Sequence, residues 1–189
     1  MKKYELTAEF IEKWGKKLFR IKALISFGSV EAGELGGYIE KEDNLAHDGN
    51  AWVSGNAEVS GDARVYGNAW VSGNAEVSGD AWVYGNAWVC GNARVCDDAW
   101  VYGNADYLLI GRIGSRFSFT TFFKNKDKGI TVSCGCFLGT IAEFRAKVTD
   151  THGNNKHAKM YNLAADMAEL QILGEEHFDK LNTNKSEPF

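Results

Sequence analysis

The sequence predicts a mainly β protein: a three-sided parallel β-helix with an N-terminal β cap and a C-terminal α+β domain. Two observations lead to this prediction. Between residues 50 and 104 the chain repeats a six-residue unit nine times, each with Ala at its first and Val at its third position. After residue 104 the repeat ends, and the pattern becomes that of two strands followed by two helices. The predicted parts are a cap over 1–43, the β-helix over 44–110, a ββαα domain over 111–175 and a tail over 176–189.

The N-terminal segment has the features of a cap. Phe19, Ile21 and Ala23 alternate with the basic residues Arg20 and Lys22, which predicts a half-buried strand over 17–23. The glycine-rich stretch over 32–37 is typical of a turn region. We expect a cap here because the end of a β-helix exposes unpaired strand edges and apolar core.

The repeat itself determines the shape of the predicted β-helix. Side chains alternate along a strand, so Ala and Val point inward while the residues between them point outward. The Gly-Asn or Gly-Asp pair that usually follows suits a tight corner. Six residues are too few for a strand and its return, so successive units form successive sides of a coil. Tyr66, Tyr84 and Tyr102 recur at every third unit, which predicts three sides and 18 residues per coil.

Stacking at this period predicts two outer faces rich in aromatic residues and one of mixed charge, where Glu76 lies opposite Arg94. We interpret the aromatic residues as an interface. It is buried either by the terminal segments or by self-association into a dimer or trimer; the alternative is a platform on which bases or sugars stack. The candidate interface residues are Trp52, Trp70 and Trp88 on one face, and Trp82, Trp100, Tyr66, Tyr84 and Tyr102 on another.

Two stretches resemble known families. The unit Val53-Ser54-Gly55-Asn56-Ala57-Glu58 and its successors resemble the hexapeptide repeat of left-handed parallel β-helices, which implies a left-handed coil. The N-terminal stretch AGELGGYIEKEDNLAHDGNAWV and the C-terminal stretch THGNNKHAK resemble hexapeptide-repeat proteins of phages and prophages in gut Gram-positive bacteria. That resemblance implies a phage-encoded accessory protein and carries no particular activity or site.

The C-terminal domain is predicted from two changes of period. Alternation over 117–123, a polar turn over 124–129 and a second apolar run over 130–137 predict a β-hairpin. Thr140 and Glu143 have the spacing of a capping box at the start of a helix. A second helix is predicted to end at Gly174, with one apolar face made of Met160, Leu163, Met167 and Leu170.

Basic and amide side chains in this domain form a candidate ligand-binding site. Lys124, Lys126 and Lys128 fall in the hairpin turn, after Arg112 and Arg116. A second group surrounds the start of the second helix, where the backbone favours anions. The candidate residues are Lys124, Lys126, His152, Asn154, Asn155, Lys156 and Lys159. A phosphate or nucleotide fits this chemistry, and a solvated loop with ordinary surface lysines is the competing interpretation.

Catalytic and metal sites are weighed and not predicted. The resemblance to left-handed β-helix proteins implies an acyltransferase as one alternative, because many of them are CoA- or ACP-dependent enzymes with a histidine base and, often, a loop projecting from a coil. Here the nine units are uninterrupted, and His47 is the one histidine near them. One set of possible metal ligands is Cys134, Cys136, His152 and His157, of which the cysteines are better explained as strand core. The other is the column Asp62, Asp80 and Asp98, which is better explained as acceptors of turn amides. We predict no cofactor.

Composition limits the setting and the partners. The net charge of −4 does not suggest a basic nucleic-acid-binding protein, so direct nucleic-acid binding is not expected. The N-terminus lacks the apolar core of a signal peptide, no run is long enough to span a membrane, and the four cysteines suit a reducing cytoplasm, that of the host if the gene is viral. We therefore expect a non-catalytic, phage-type accessory protein that binds a host protein or sequesters a ligand and so antagonises antiviral defence. The alternatives are a sponge for a nucleotide signal, bound by the C-terminal domain at an oligomer interface, and a CoA-dependent hexapeptide acyltransferase.

Overall fold

The computed structural model describes residues 2–176. The chain divides into two compact units, Met1–Asn104 and Ala105–Phe189. The first unit contains a β-solenoid preceded by further strands, and the second contains an antiparallel sheet followed by two helices. The predicted fold class is therefore confirmed, while the left hand of the coil stays a prediction. The predicted tail lies almost entirely outside the described residues.

Three strands form the N-terminal cap. β1 (Tyr4–Lys13) and β2 (Lys16–Ala23) make an antiparallel hairpin, and β3 (Leu35–Ile39) pairs with β2. The glycine-rich stretch was predicted as a turn, but Gly36 and Gly37 lie inside β3. Glycine is required there because the strand lies directly against the first coil. A Cβ on Gly37 would come within 2.5 Å of the Ala57 carbonyl oxygen.

The solenoid consists of nine two-residue strands that form three stacked sides. The sheet orders are β10-β7-β4 and β12-β9-β6, while β5, β8 and β11 extend the sheet of the cap. Every inward Ala and Val from Ala51 to Val101 is at most 1% exposed, so two small residue types fill the interior. The strands are β4 (Trp52–Val53), β5 (Glu58–Val59), β6 (Arg64–Val65), β7 (Trp70–Val71), β8 (Glu76–Val77), β9 (Trp82–Val83), β10 (Trp88–Val89), β11 (Arg94–Val95) and β12 (Trp100–Val101).

Backbone hydrogen bonds join successive coils. The Trp52 amide donates to the Ala69 carbonyl at 3.0 Å, and the Trp70 amide donates to the Ala87 carbonyl at 2.8 Å. At the corners the glycines have positive φ, for example 72° at Gly73, which residues with a Cβ rarely adopt. The predicted pair across neighbouring coils is present, because Arg94 Nε donates to Glu76 Oε2 at 3.1 Å.

The inward Ala and Val residues of the first coil have no earlier complete coil to supply donors for their carbonyls, and the preceding segment supplies donors for several of them. The Tyr38 amide donates to the Ala57 carbonyl at 2.8 Å. At two places a side chain replaces the backbone: Asn44 Nδ2 donates to the Ala63 carbonyl and Lys3 Nζ to the Ala51 carbonyl, both at 2.8 Å. Lys3 is almost fully buried, and this burial lowers the pKa of its ammonium group to about 8.

The cap also buries the first tryptophan of the repeat. Trp52 is completely inaccessible, with Phe27 and Tyr4 packed edge-on at ring distances of 5.4 Å and 6.4 Å. It therefore cannot form part of an exposed interface, although its position in the repeat predicts an outward side chain. Its equivalent Trp88, two coils further on, is 56% exposed.

The second unit is a four-stranded antiparallel sheet followed by two helices, all in sequence order. The sheet has two more strands than the predicted hairpin, and its first strand crosses the predicted boundary at residue 110. Phe122, Val132 and Phe144 belong to the core between the sheet and the helices. The elements are β13 (Tyr107–Ile113), β14 (Ser118–Lys124), β15 (Ile130–Cys134), β16 (Phe137–Thr140), α1 (Ile141–His152) and α2 (Lys156–Leu173).

The helix ends agree with the prediction, but the buried face of α2 does not. Thr140 caps α1 with the expected Glu143 partner, and Gly174 ends α2. The core face of α2 consists mainly of alanines with Tyr161 and Ile172, because small side chains let the helix pack closely. The predicted apolar face, Met160, Leu163, Met167 and Leu170, is exposed. Within residues 2–176, no helix has the length and apolar character needed to cross a membrane.

Replacing Trp52 tests the role of the cap in burying the start of the repeat. We expect Trp52→Ala to lower the free energy of unfolding by about 3–5 kcal/mol, because a fully buried indole leaves a cavity. Trp88→Ala is the matched control at the same repeat position, and it should cost less than about 1 kcal/mol because its side chain is exposed. Urea denaturation followed by circular dichroism measures both. Equal losses in the two variants would contradict the assigned burial.

Candidate functional site

A cavity of about 380 Å³ opens in the second unit. Its walls come from the loop between β13 and β14, from the turn between β15 and β16, and from α1 and α2. α1 begins at the predicted capping box, directly after β16, and α2 packs through its alanine face, so both helices lie beside these turns. The site therefore lies on regular elements and on the short turns that join them.

Aromatic side chains form one wall of the cavity. Phe144 of α1 packs against Phe137 at a ring distance of 5.6 Å and edge-on against Tyr161 at 5.6 Å. The His152 imidazole stacks on the Tyr161 ring at 5.8 Å with an interplanar angle of 28°. Phe144 and Tyr161 are buried, whereas His152 is only partly covered. This wall provides flat apolar surface with one imidazole at its edge.

The charged groups that line the cavity are cationic. Arg116 comes from the β13–β14 loop and Lys147 from α1, and both side chains are exposed to solvent. Lys147 Nζ lies 3.3 Å from Asp150 Oδ2 on the helix surface. Both side chains are exposed, so this ion pair holds the lysine only weakly. The residues that line the cavity, all within the described part of the chain, include no Asp or Glu. Electrostatics therefore favour an anion at this rim.

The Tyr161 hydroxyl is held at the base of the site. Burial, and then its interaction and hydrogen bond with Cys134, raise the pKa of Tyr161 to about 12. Thr120 Oγ1 also lies 3.2 Å from Cys134 Sγ. Gly114, with φ of 74°, approaches the hydroxyl so closely that a Cβ at this position would clash with it. The phenol is therefore neutral and fixed in position near neutral pH.

Of the seven predicted ligand-binding residues, the structure brings only His152 to the cavity. Lys124 forms an ion pair with Asp106 at 3.1 Å. The Asn155 side chain caps α2 by accepting from the His157 and Ala158 amides. The remaining four lie on the exposed surface outside the cavity lining: Lys126, Asn154, Lys156 and Lys159.

The sequence interpretation missed most of the cavity residues. Arg116 belonged to the predicted basic patch, but Lys147, Phe144 and Tyr161 were not singled out as site residues. One usable signal was helical spacing, because Phe144, Lys147 and Thr151 lie three and four residues apart on one face of α1. Tyr161 had no comparable signal, because it lines the cavity only where the turn between β15 and β16 packs beside α2.

The sets weighed as metal ligands have other roles here. Cys134 and Cys136 line the cavity, and the rings of His152 and His157 lie 5.8 Å apart. Across residues 2–176, no three His, Cys, Asp or Glu side chains converge as a metal site would require. In the acidic column, Asp62 accepts a hydrogen bond from Lys41 Nζ at 2.7 Å.

His47 has the contacts of a structural residue. Its Nδ1 accepts the Lys3 backbone amide at 3.2 Å, and its ring stacks on Tyr4 at 4.4 Å. These contacts place the imidazole in the cap of the first coil. The nine hexads between residues 51 and 104 follow one another without an inserted loop.

The outer aromatic residues form two different arrangements. Trp70 Nε1 donates to Ser54 at 2.9 Å and Trp88 Nε1 to Ser72 at 3.0 Å, so each indole bonds the preceding coil. On another side, five rings pack side by side along the axis, with Tyr66 stacked on Tyr84 at 5.1 Å. We call this second group the aromatic face, and it consists of Tyr66, Trp82, Tyr84, Trp100 and Tyr102.

Comparison with known proteins agrees with the solenoid. A family model described as the YdcK beta solenoid repeat matches residues 57–73 and 87–103. Both segments lie within the stacked coils of the first unit. Together with the strand order, the match identifies a repeat-containing β-helix protein. None of the curated proteins compared with the chain matches it.

The raised pKa of Tyr161 predicts a pH dependence of stability. Above the ordinary tyrosine value of 10 the unfolded chain releases this proton, whereas the folded chain keeps it up to about pH 12. The contribution of the buried, neutral phenol to the free energy of unfolding is therefore complete below pH 10 and is lost as the pH rises from 10 to about 12. We expect the unfolding free energy of Tyr161→Phe to fall less steeply with pH than that of the wild type. Tyr102→Phe, an exposed control, should keep the wild-type slope in urea denaturation, and parallel curves for all three proteins would contradict the assignment.

Proposed function

We propose that the protein is a non-catalytic binding protein whose second unit takes up a small anion bearing a planar ring, a nucleotide being the class that fits best. The observation that carries this proposal is the cavity itself. It combines a cationic rim, no lining carboxylate among the described residues, and an aromatic wall. The solenoid then serves as a rigid scaffold.

Each feature of the cavity matches one part of such a ligand. Arg116 and Lys147 provide donors for phosphate oxygens, and Arg offers the forked geometry that suits them. The His152 imidazole, partly exposed beside Tyr161, offers aromatic surface to a base. A volume of about 380 Å³ lies near the lower end of the range for small-molecule sites, which suits a mononucleotide-sized ligand.

The same contacts support binding rather than catalysis. Cys134 lines the cavity, and the hydroxyl groups of Tyr161 and Thr120 contact its thiol. Activation of a thiol requires a base or a nearby cation that stabilises the thiolate. The phenol of Tyr161 is not such a group, because its pKa is raised to about 12 and it stays protonated near neutral pH.

The biological setting of the proposal comes from the resemblance to phage and prophage proteins. A phage-encoded accessory protein would act in the host cytoplasm. By sequestering a nucleotide signal, it would weaken a defence response that depends on that signal. The chemistry of the cavity supports the ligand class in this scheme. The phage origin and the target response are proposals that rest on the resemblance alone.

Calorimetric titration with a panel of mono-, di- and cyclic nucleotides, and with inorganic phosphate, tests the binding proposal. We expect one or more nucleotides to bind, and Lys147→Ala or Arg116→Ala to weaken that binding by about 10-fold or more, through loss of a charge-assisted hydrogen bond. Lys156→Ala, a matched control outside the cavity, should bind like the wild type. Absence of binding across the panel, or equal weakening by the control, would refute the proposal.

A second candidate function uses the aromatic face as a contact surface for another copy of the chain. Trp82, Trp100 and Tyr102 are each at least 37% exposed although they belong to one packed cluster. Aromatic surface of this kind is enriched in protein interfaces. A second copy presents the same surface, so an isologous contact is possible.

Trp82→Glu tests this contact. Glu occupies the equivalent outward position at Glu58 and Glu76, so the substitution suits the repeat and leaves the coils intact. We expect it to abolish association through the aromatic face because it places charge inside an apolar contact. Sedimentation velocity measures the change in mass, and Trp88→Glu, at the same repeat position on another side of the solenoid, serves as a control. An unchanged distribution of species in Trp82→Glu would exclude this surface as the interface.

A further inference from the structure

The first unit has a cavity of its own, with a volume of about 340 Å³, where the aromatic face begins. We call it the solenoid cavity, and it is open to solvent because Asp43 and Arg64 are exposed at its edge. The cavity considered above belongs to the second unit, and the two share no lining residue. The solenoid cavity is lined by Asp43, Ala46, Arg64, Val65, Tyr66 and Trp82.

The solenoid cavity lies where the tyrosine column of the aromatic face ends. The Ala46 amide donates to the Val65 carbonyl at 2.9 Å, just as the Tyr66 amide donates to the Val83 carbonyl at 3.1 Å. Ala46 therefore occupies the rung before Tyr66, at the position where each later coil has a tyrosine. An alanine in place of a ring leaves open the volume that a further aromatic side chain would fill.

Two aromatic rings form walls that meet at nearly a right angle. Tyr66 stacks on Tyr84 of the next coil at 5.1 Å and 6°, while the rung on its other side holds only Ala46. Trp82 meets Tyr66 edge-on at 5.9 Å, with an interplanar angle of 83°. A flat ring lies against only one of two perpendicular walls, whereas a puckered ring with C–H bonds on its faces and edge contacts both. This corner therefore favours a saturated ring over a planar base.

The polar groups of the solenoid cavity include two opposite charges. Arg64 provides donors, Asp43 provides acceptors, and the two charges sum to zero. Lys41 binds Asp62 at 2.7 Å, so the acid nearest to Arg64 in sequence is already neutralised. Burial raises the pKa of Tyr66, so its hydroxyl stays protonated and adds a further donor. An anion is repelled by Asp43 and a cation by Arg64, so a neutral ligand that both donates and accepts suits this pair best.

The backbone holds these groups in place before a ligand binds. Asp43 lies in a short 3-10 helix (Glu42–Asn44), and Asn44 joins this helix to the solenoid by donating to the Ala63 carbonyl at 2.8 Å. Arg64 lies in β6, whose backbone is paired with β9 of the next coil. Only the exposed side chains need to become ordered on binding, which favours affinity for a small ligand.

We propose that the solenoid cavity binds a neutral sugar, as one pyranose unit of a saccharide. The apolar C–H face of the sugar lies on Tyr66 in place of the missing tyrosine, and its edge contacts Trp82. Adjacent hydroxyl groups then accept from Arg64 and donate to Asp43. A volume of about 340 Å³ is near the lower end of the range for small-molecule sites and suits one or two sugar units. This site is independent of nucleotide binding in the second unit, so either proposal can fail alone.

Saturation-transfer difference NMR on the full chain tests the proposal with the methyl glycosides of glucose, galactose, mannose and N-acetylglucosamine. We expect at least one of them to bind, with the strongest transfer to the C–H protons of one ring face. An array of immobilised neutral and acidic oligosaccharides, probed with the same protein, shows whether the sugar is bound free or within a glycan. No binding to any glycoside or to the array would overturn the proposal. A preference for nucleosides, for free aromatic amino acids or for acidic saccharides alone would also overturn it.

Substitutions that line the cavity give a sharper test. Ala46→Tyr should abolish binding, because the added ring continues the tyrosine column and occupies the place of the sugar. Thermal unfolding followed by circular dichroism should confirm that the coils of this variant are intact. Asp43→Asn and Arg64→Ala should each weaken binding about 5-fold or more, through loss of a charge-assisted hydrogen bond. Asp43→Asn leaves the rings untouched, which separates sugar binding from self-association through the aromatic face.

Two controls match these changes at positions outside the cavity. Asp80→Asn removes an exposed acid at a corner of the solenoid, and Trp88→Ala removes an exposed indole from another side. Both variants should bind saccharides like the wild type. Binding that persists in Ala46→Tyr, or that the controls weaken as much as the cavity variants do, would place the sugar elsewhere and overturn the assignment.

Discussion

The first unit depends on one constraint: the carbonyls of the inward Ala and Val residues of a coil accept hydrogen bonds from the coil before it, and the first coil has no complete predecessor. The cap resolves this with backbone amides where β3 runs parallel to β5, and with the side chains of Lys3 and Asn44 where it does not. Leaving such groups buried and unpaired costs about 1–3 kcal/mol each, and the Lys3 and Asn44 side chains remove that cost at the carbonyls they bond. The position of the cap then determines which outward residues of the first coil are covered.

In the second unit the corresponding constraint is close packing at small residues. The alanine face of α2 allows Tyr161 to reach the turn after β15, and Gly114 leaves space for its hydroxyl. The cavity therefore exists because a large aromatic residue is surrounded by residues with little or no side chain. Its rim carries long cationic side chains from a loop and from α1, while its floor is rigid. This division is common in binding sites, where fixed apolar surface provides shape and a few polar groups provide orientation.

The sequence predicted those features that depend on local patterns. The alternation of Ala and Val, the recurrence of tyrosine at every third unit and the Thr140 capping box each specify structure within a few residues. The failures concern residues whose environment is set by distant parts of the chain. Trp52 has the same local sequence as Trp88 but lies under the cap. In the same way, Met160 and Leu163 are more apolar than the alanines beside them, yet the alanines are buried because the close approach of the sheet decides which side of α2 is covered.

The interior of the solenoid has a consequence for its length. Because each coil fills its centre with the same alanines and valines, every cross-section is equivalent, and a coil of 18 residues can be duplicated or deleted without changing the packing of its neighbours. Each added coil lengthens the solenoid by about 4.8 Å and adds one outward residue to each column of stacked side chains. Recombination between repeats would therefore change the length of the outer surfaces, and the number of side chains they present, in fixed steps. The specialised donors are needed once, at the first coil, whatever the number of coils that follow.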